Sequence, residues 1–339
     1  MYQLYSAFTL FLSLLVEAMP FLLLGVLFSS GLLLFIDERQ LVSRLPKNPF
    51  LGSLIGSLIG FLFPVCECGN VPVARRLLIQ GTPSAVACSF LLAAPTINPI
   101  VIWSTWVAFQ DQPELVWLRV LFSLTIATII GCVFGYQADA KPLLQPALAR
   151  RIYSVDTSTS PDTPSLLKSG TYLLGNSGKT QSLASEAYQQ FRKFKKSKPR
   201  SAKTSPKKLD LFLNNTIQEL RELGGMLIVG SAIAACIQVF VPREIILNLG
   251  QGSISSILAM MLLAALVSIC STVDAFFALS FATTFTSASL LAFLVFGPMI
   301  DLKSVGLLLS VFKPKIVTYL FILAAQLTFI LCLGYAYFF

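Results

Sequence analysis

The amino-acid sequence predicts an all-α integral membrane protein, a polytopic bundle of about eight transmembrane helices. Of its 339 residues, 55% are hydrophobic and only 12% are charged, about half the charged fraction of an ordinary soluble domain. The mean hydropathy of +0.76 agrees with this composition. Eight segments lack Asp, Glu, Lys and Arg, and nearly all approach the ~20 residues that a membrane-spanning helix needs. They are 18–36, 51–66, 77–110, 120–138, 223–241, 245–273, 275–300 and 316–339.

The first of these segments is expected to be an uncleaved transmembrane helix. It lacks the basic start and the small-residue cleavage pattern of a signal peptide. The chain has no histidine, which excludes His-ligated metal sites and His-based catalytic triads. Its seven cysteines lie in or beside apolar runs, so free thiols are expected rather than a disulfide framework.

A polar segment at 139–210 separates two membrane regions, 1–138 and 211–339. It is rich in Ser, Thr, Pro, Lys and Arg, a composition typical of a disordered linker. It holds 14 basic and 5 acidic residues, so its net charge of +9 equals that of the whole chain. Basic loops favour the cytoplasmic side, which predicts that the linker and both termini of a multi-pass inner-membrane protein are cytoplasmic.

The linker ends in a basic run at 192–208 (RKFKKSKPRSAKTSPKK). Such a run can contact anionic lipid headgroups, or it can be a solvated tether that fixes the topology. Nucleic-acid binding is not expected, because no folded module accompanies the charge. The basic residues Arg39, Arg44 and Lys47 do not fit the predicted orientation, since they fall in an outer loop.

The two membrane regions are predicted to be repeats of four helices each. Scarce polar and helix-breaking residues recur at an offset between 202 and 205 residues; the matched pairs are Glu17 with Glu222, Cys68 with Cys270, Pro95 with Pro298, and Asn98 with Asp301. Four spans per half imply a parallel repeat, whereas an odd number would imply an inverted one.

Each half also contains two segments in which a broken helix is expected near the membrane midplane. They are 66–72 and 95–99 in the first half, and 270–274 and 297–301 in the second. Proline removes a helical hydrogen bond, so the run PVCECGNVP is predicted to be unwound. Paired broken helices are typical of transporter binding sites, although they are also compatible with simple structural kinks.

Four segments resemble a known family: 64–78 (PVCECGNVPVARRLL), 81–85 (GTPSA), 94–99 (APTINP) and 297–301 (GPMID). Together they make the chain similar to the bacterial predicted-permease family that includes the organoarsenical exporter ArsP, the YraQ-like permeases. The resemblance implies an eight-helix inner-membrane permease and, for its best-known branch, efflux of trivalent arsenicals. The long basic linker departs from that pattern.

Four cysteines are candidate substrate ligands. On extended backbone, Cys66 and Cys68 would point to one side and Glu67 to the other. Thiolates favour soft centres such as Cu(I) or, by the resemblance, As(III). Cys270 in the second half could complete a three-sulfur site, and Cys88 is a further candidate. Buried cysteine also serves as a small hydrophobic residue, which is the interpretation for Cys132, Cys236 and Cys332.

Acidic residues inside apolar spans are costly and usually functional. Glu17, Glu222, Glu67 and Asp274 are candidate proton-coupling groups. Asp301 is a candidate for both coupling and substrate binding, and Asn98 for substrate binding, because each is expected to cap a half-helix.

Ion pairing is the structural alternative for two of the acids, with Arg221 expected near Glu222 and Lys303 expected near Asp301. Arg75 and Arg76 are expected to anchor the cytoplasmic edge.

The favoured hypothesis is a secondary efflux permease for a small soft-metalloid compound, without enzymatic activity or a resident cofactor. No nucleotide-binding motif is present in the sequence. A transmembrane thiol–disulfide oxidoreductase is the alternative, although its redox pairs usually have the spacing Cys-x-x-Cys. A permease for another small molecule and a membrane scaffold also stay open. The expected partners are the substrate, the lipid bilayer and a further copy of the chain.

Overall fold

The fold was obtained as a computed structural model. It describes residues 2–35, 46, 48–63, 66–79, 81–136, 172–174, 180–182, 208–240 and 252–338. Arg39, Arg44, Lys47 and the basic run at 192–207 lie outside the described residues.

The first half contains six helices, and the second half contains six more. Those of the first half are α1 (Tyr2–Phe35), α2 (Pro49–Leu62), α3 (Glu67–Ile79), α4 (Ser84–Ile97), α5 (Pro99–Ala108) and α6 (Glu114–Gly135). Those of the second half are α7 (Lys208–Phe240), α8 (Ser253–Val267), α9 (Asp274–Leu279), α10 (Ser287–Met299), α11 (Leu302–Leu308) and α12 (Pro314–Phe338). These two counts of helices cover only the residues that the structure describes. The prediction of a helical, polytopic membrane protein is confirmed.

Six segments of the described chain are long and apolar enough to cross a membrane. They are Tyr5–Gly31, Ser84–Ala108, Glu114–Gly135, Phe212–Val239, Ser287–Val311 and Pro314–Phe338. Two shorter apolar helices, α2 and α8, have 14 and 15 residues. The predicted count of eight spans equals these six segments plus the two shorter helices, and it stays a prediction.

The chain forms two compact units. One unit joins Met1–Ile152 with Phe212–Phe339, and the other is Tyr153–Leu211. In the second unit, the described residues form a short antiparallel ribbon of β1 (Tyr172–Leu174) and β2 (Thr180–Ser182). The sequence predicted no regular structure in this segment; its other residues between 153 and 207 lie outside the description.

Helices α4 and α10 form the centre of the unit that joins Met1–Ile152 with Phe212–Phe339, which is called the membrane unit below. Every residue of α4 is buried, and α10 is buried along nearly its whole length. Helix α2 packs on α4 through a face of small residues, Gly52, Ser53, Gly56, Ser57 and Gly60. A side chain at Gly56 would overlap the backbone of Val86, so this stripe allows close approach of the two helices.

Asn98 and Asp301 mark the two helix breaks around α4 and α10, and Pro99 follows Asn98 as the first residue of α5. Asn98 caps α5, its Oδ1 accepting from the Val101 amide at 2.9 Å. Asp301 caps α11, its Oδ1 accepting from the Ser304 amide at 2.6 Å. Both caps agree with the sequence prediction.

The prediction of unwound backbone at 66–72 is wrong, because α3 begins at Glu67 and continues through Pro72. Pro95 likewise lies inside α4. The missing N–H of Pro95 deprives the Leu91 carbonyl of its helical partner, and Asn70 Nδ2 donates to that oxygen at 2.6 Å. A neighbouring side chain therefore satisfies the backbone, as is common for proline in membrane helices.

The second half has a longer interruption between α8 and α9. Residues 268–273 are not helical, and Ser268 adopts a left-handed conformation with φ of 49°. The predicted break at 270–274 therefore agrees with the structure as far as Val273, after which α9 begins.

Candidate functional site

Two short helices bring the candidate thiols together at the centre of the membrane unit. The Cys66 carbonyl accepts from the amides of Gly69 and Asn70, each at 3.1 Å, at the start of α3. The Cys270 carbonyl accepts from the amides of Val273 and Asp274 at 2.9 and 3.1 Å, at the start of α9. Cys66 directly precedes α3, whereas Cys270 lies four residues before the start of α9. The match of Cys270 with Cys68 between the two halves stays a prediction.

Three sulfur atoms meet at this point. Cys66, Cys68 and Cys270 are 4%, 0% and 2% exposed, and the Cys66 thiol interacts with both other thiols. Thr272 Oγ1 donates to Cys270 Sγ at 3.5 Å. Cys88 is buried on α4, but the structure does not place it in the group of converging ligand atoms.

Glu67 lies with the thiols. Its carboxylate and the sulfur atoms of Cys66 and Cys68 are all within 4.8 Å of one another. The prediction that Glu67 points away from the thiols is therefore wrong. That prediction assumed an extended segment. In the structure Cys66 precedes α3, and Glu67 and Cys68 lie in the first turn of α3. The three side chains therefore face one region.

Lys303 of α11 forms a buried ion pair with Glu67. The Nζ–Oε1 distance is 2.9 Å, and the two side chains are 1% and 5% exposed. Asp301 also interacts electrostatically with Lys303 and Glu67. The sequence suggested Lys303 as a partner for Asp301, but the closer contact is to Glu67.

Arg119 of α6 forms a second buried ion pair, with Asp274 at the start of α9. Arg119 Nη1 donates to Asp274 Oδ1 at 3.2 Å, and Nη2 donates to Oδ2 at 2.5 Å. Nη1 also donates to Thr105 Oγ1 at 2.7 Å. This fork-shaped geometry orients the carboxylate firmly.

Sequence reasoning missed both Lys303 and Arg119 as site residues. The prediction bounds apolar spans at charged residues, which places Arg119 just before the span 120–138, and it considers Lys303 only as a partner of Asp301. The available signal was an isolated basic residue with apolar neighbours on both sides, Trp117-Leu118-Arg119-Val120-Leu121. A buried acid in the other half requires such a partner.

Arg75 of α3 is buried and contacts Glu222 of α7, with Nη2 donating to Oε2 at 2.5 Å. The sequence did not predict this pair; the expectations that Arg75 anchors the cytoplasmic edge and that Glu222 lies near Arg221 stay predictions. Arg76 and Glu219 contribute further charges near this pair. All three ion pairs join the first half to the second.

Glu17 is half-buried on α1. Among the described residues it forms no ion pair or side-chain hydrogen bond, in contrast to Glu67, Glu222 and Asp274.

Several buried polar atoms near the thiols have no hydrogen-bond partner among the described residues. They are Glu67 Oε2, Asn70 Oδ1, Ser271 Oγ and Asp301 Oδ2. Buried polar atoms are normally satisfied, so a group of orphans indicates a place for water or a ligand. The centre thus combines soft sulfur donors with unsatisfied oxygen acceptors.

Two bacterial proteins are similar to this chain over most of its length. UPF0718 protein YcgR of Bacillus subtilis is 37% identical over 311 residues, which cover 91% of this chain and 90% of the relative. A second relative, from Streptococcus mutans, is 32% identical over 308 residues, which cover 91% of this chain and 87% of the relative. Its name describes it as a subunit of a two-component membrane permease complex. No solved structure matches the chain. The predicted-permease family model matches residues 3–337, so the chain belongs to this family of membrane permeases.

Proposed function

We propose that the chain is a secondary exporter of a small thiol-reactive metalloid compound, such as a trivalent organoarsenical, bound by Cys66, Cys68 and Cys270. The observation that carries this proposal is the meeting of three buried thiols from both halves. Soft centres prefer thiolate ligands. A site shared by two halves is also one that a relative movement of the halves can open to either side of the membrane.

The surrounding ion pairs support transport rather than enzymatic catalysis. Glu67–Lys303 and Arg119–Asp274 border the thiols and join the two halves. Pairing makes buried charges tolerable within the hydrocarbon region. In this proposal Asn98 and Asp301 hold the half-helices that border the site, and no resident cofactor takes part.

Coupling to the proton gradient is proposed for the intramembrane acids, with Glu17 first among them. Glu222, Glu67 and Asp274 each have a basic partner in the structure. Glu17 has none among the described residues, so proton exchange there breaks no ion pair.

The proposed setting is the bacterial inner membrane, with both termini and the linker in the cytoplasm. Because one relative is named as a complex subunit, assembly with a further copy or a second membrane subunit is also proposed. Reporter fusions at the two termini and within 155–190 test the orientation; periplasmic activity at any of these positions contradicts it.

Uptake into everted membrane vesicles tests the cargo, with methylarsenite, arsenite and Cu(I) as substrates and with or without a pH gradient. Methylarsenite uptake should fall to background in Cys66→Ser/Cys68→Ser, because a hydroxyl ligates soft centres weakly. Cys332→Ser is the matched control, since Cys332 is buried in α12. Equal uptake by the double variant and the wild type contradicts the thiol site.

The alternative function, thiol–disulfide exchange across the membrane, draws on the contact between Cys66 and Cys270. It requires a mixed disulfide with a partner thiol. Trapping such an adduct with Cys66→Ser or Cys270→Ser, together with absent vesicle uptake, favours the oxidoreductase over the exporter.

A further inference from the structure

The residues Cys66, Glu67 and Cys68 form a mixed donor set of two sulfurs and one carboxylate. Their ligand atoms lie within 4.8 Å of one another. Around a tetrahedral Zn²⁺ ion, with Zn–S near 2.3 Å and Zn–O near 2.1 Å, neighbouring donor atoms are about 3.5–3.8 Å apart. Small side-chain rotations therefore bring all three donors onto one ion.

The carboxylate distinguishes this donor set from a simple thiol pocket. An arsenic(III) compound is held by As–S bonds and needs no oxygen ligand, whereas Zn²⁺ and Cd²⁺ accept sulfur and carboxylate oxygen together. Glu67 is 4% exposed, and its Oε2 atom has no hydrogen-bond partner in the described chain. A buried acceptor without a partner, facing two thiols, is suited to a cation.

Lys303 does not prevent this use of Glu67. It contacts Glu67 Oε1 at 2.9 Å, and Asp301 is a second acidic neighbour of the same ammonium group. Asp301 Oδ2 has no hydrogen-bond partner among the described atoms. When Glu67 turns toward a cation, Lys303 still has a carboxylate beside it.

The charge of the wider centre also favours a cation. Glu67 interacts with both Asp274 and Asp301, Lys303 interacts with Glu67 and Asp301, and Arg119 interacts with Asp274. Three carboxyl groups thus face two basic groups. A basic excess would have favoured an anion, whereas this acidic excess favours a positively charged ligand.

We propose that this centre binds a thiophilic divalent cation, Zn²⁺ or Cd²⁺, through Cys66, Glu67 and Cys68. The proposal uses the thiol site of the proposed function but does not require a metalloid as cargo. On binding, the two thiols lose their protons, two metal–sulfur bonds form, and both protons leave to solvent. One divalent charge replaces two protons, so the charge of the site is unchanged.

Cys270 completes the arrangement as a hydrogen-bond neighbour of Cys66. It comes from the second half, before α9, and its thiol can donate to the Cys66 sulfur. The ion keeps a fourth position open, as catalytic zinc sites do. An open position suits a bound ion that has to leave again.

Metal binding to the purified full-length protein in detergent tests the proposal. Equilibrium dialysis with Zn²⁺ should give one ion per chain, and a Cd²⁺ titration should show the ultraviolet thiolate-to-cadmium charge-transfer band. Cys66→Ser/Cys68→Ser and Glu67→Gln should each bind at least about tenfold more weakly. Cys332→Ser should bind as the wild type does.

Two further arms keep the test decisive. Glu67→Gln leaves Lys303 without its ion-pair partner, so the double variant Glu67→Gln/Lys303→Gln is made to remove both charges. This double variant should also lose Cd²⁺ binding. It should still bind methylarsenite. Wild-type protein that takes up no more ion than the double-serine variant, or Glu67 variants that bind Cd²⁺ normally, would overturn the proposal. Failure of methylarsenite binding to the same wild-type protein refutes the metalloid cargo instead.

Discussion

Arg119 and Asp274 form a buried bidentate ion pair at the edge of the candidate site. Replacing Arg119 by Leu leaves the Asp274 carboxylate without its charged partner, which costs about 3–5 kcal/mol of stability at a buried site. We expect Arg119→Leu to lower the unfolding temperature strongly. Arg119→Leu/Asp274→Leu should recover most of the loss, because no single charge is left behind. A double-mutant cycle in detergent measures this coupling.

Equal unfolding temperatures for the single Arg119 variant and the wild type would contradict that expectation. The control is Arg221→Leu on α7, since Arg221 is exposed and a surface charge contributes about 0–1 kcal/mol.

Glu17 provides a second prediction at the residue scale. A glutamine mimics the protonated acid and cannot exchange a proton, so Glu17→Gln should bind substrate but lose transport driven by a pH gradient. Glu17→Asp should keep part of that transport. Vesicle uptake with and without the gradient measures both. Gradient-driven uptake by Glu17→Gln at the wild-type rate would make Glu17 structural and move the coupling role to Asp301 or Asp274.

Residue types were easier to predict than residue partners. The sequence identified Cys66, Cys68, Cys270 and the intramembrane acids as candidates, because polar groups in an apolar chain are scarce. It did not identify Lys303 as the partner of Glu67, since the two are far apart in sequence and their contact depends on how α3 packs against α11. Long-range partners follow from packing, which no local pattern encodes.

At the scale of elements, proline misled the sequence prediction. Pro72 and Pro95 are both inside helices, and at Pro95 another group takes over the hydrogen bonding that the ring removes. The side-chain bond from Asn70 to the Leu91 carbonyl is such a replacement. The true breaks occur at Asn98 and Asp301, whose side chains cap the next helix. Capping residues thus mark both breaks, with Pro99 beside one of them, whereas Pro72 and Pro95 mark none.

The packing of α1 on α3 gives a prediction at this scale. A Cβ atom at Gly25 would overlap the carbonyl oxygen of Gly69, whereas no atom of the described residues lies within 4 Å of one at Gly31. Gly25→Ala should therefore push α1 away from α3 and destabilise the protein by about 1–3 kcal/mol. Gly31→Ala, on the same helix, should be neutral or slightly stabilising. Thermal unfolding in detergent compares the two, and an equal response would contradict the close contact.

At the scale of the whole molecule, the two halves contact each other in a matched way. Helix α3 of the first half packs on α11 of the second, and α9 of the second half packs on α5 of the first. The helices in each contact correspond by their order in the chain. We propose on this basis that the halves are structural repeats, the relation that the sequence landmarks predicted.

The last prediction concerns the linker between the halves. Deleting 155–190 removes β1 and β2 but leaves the membrane unit complete, since that unit consists of Met1–Ile152 and Phe212–Phe339. The retained residues 136–154 and 191–207, about 36 in all, reach about 120 Å when extended. That length exceeds the ~40–45 Å thickness of a bilayer, so the deletion imposes no strain on α6 or α7. We expect normal membrane levels and largely intact vesicle transport. A second deletion, of the basic run 192–207, serves as the comparison, because it removes the charge that is predicted to fix the topology. Transport abolished by the first deletion, at normal membrane levels, would instead make the linker a working domain.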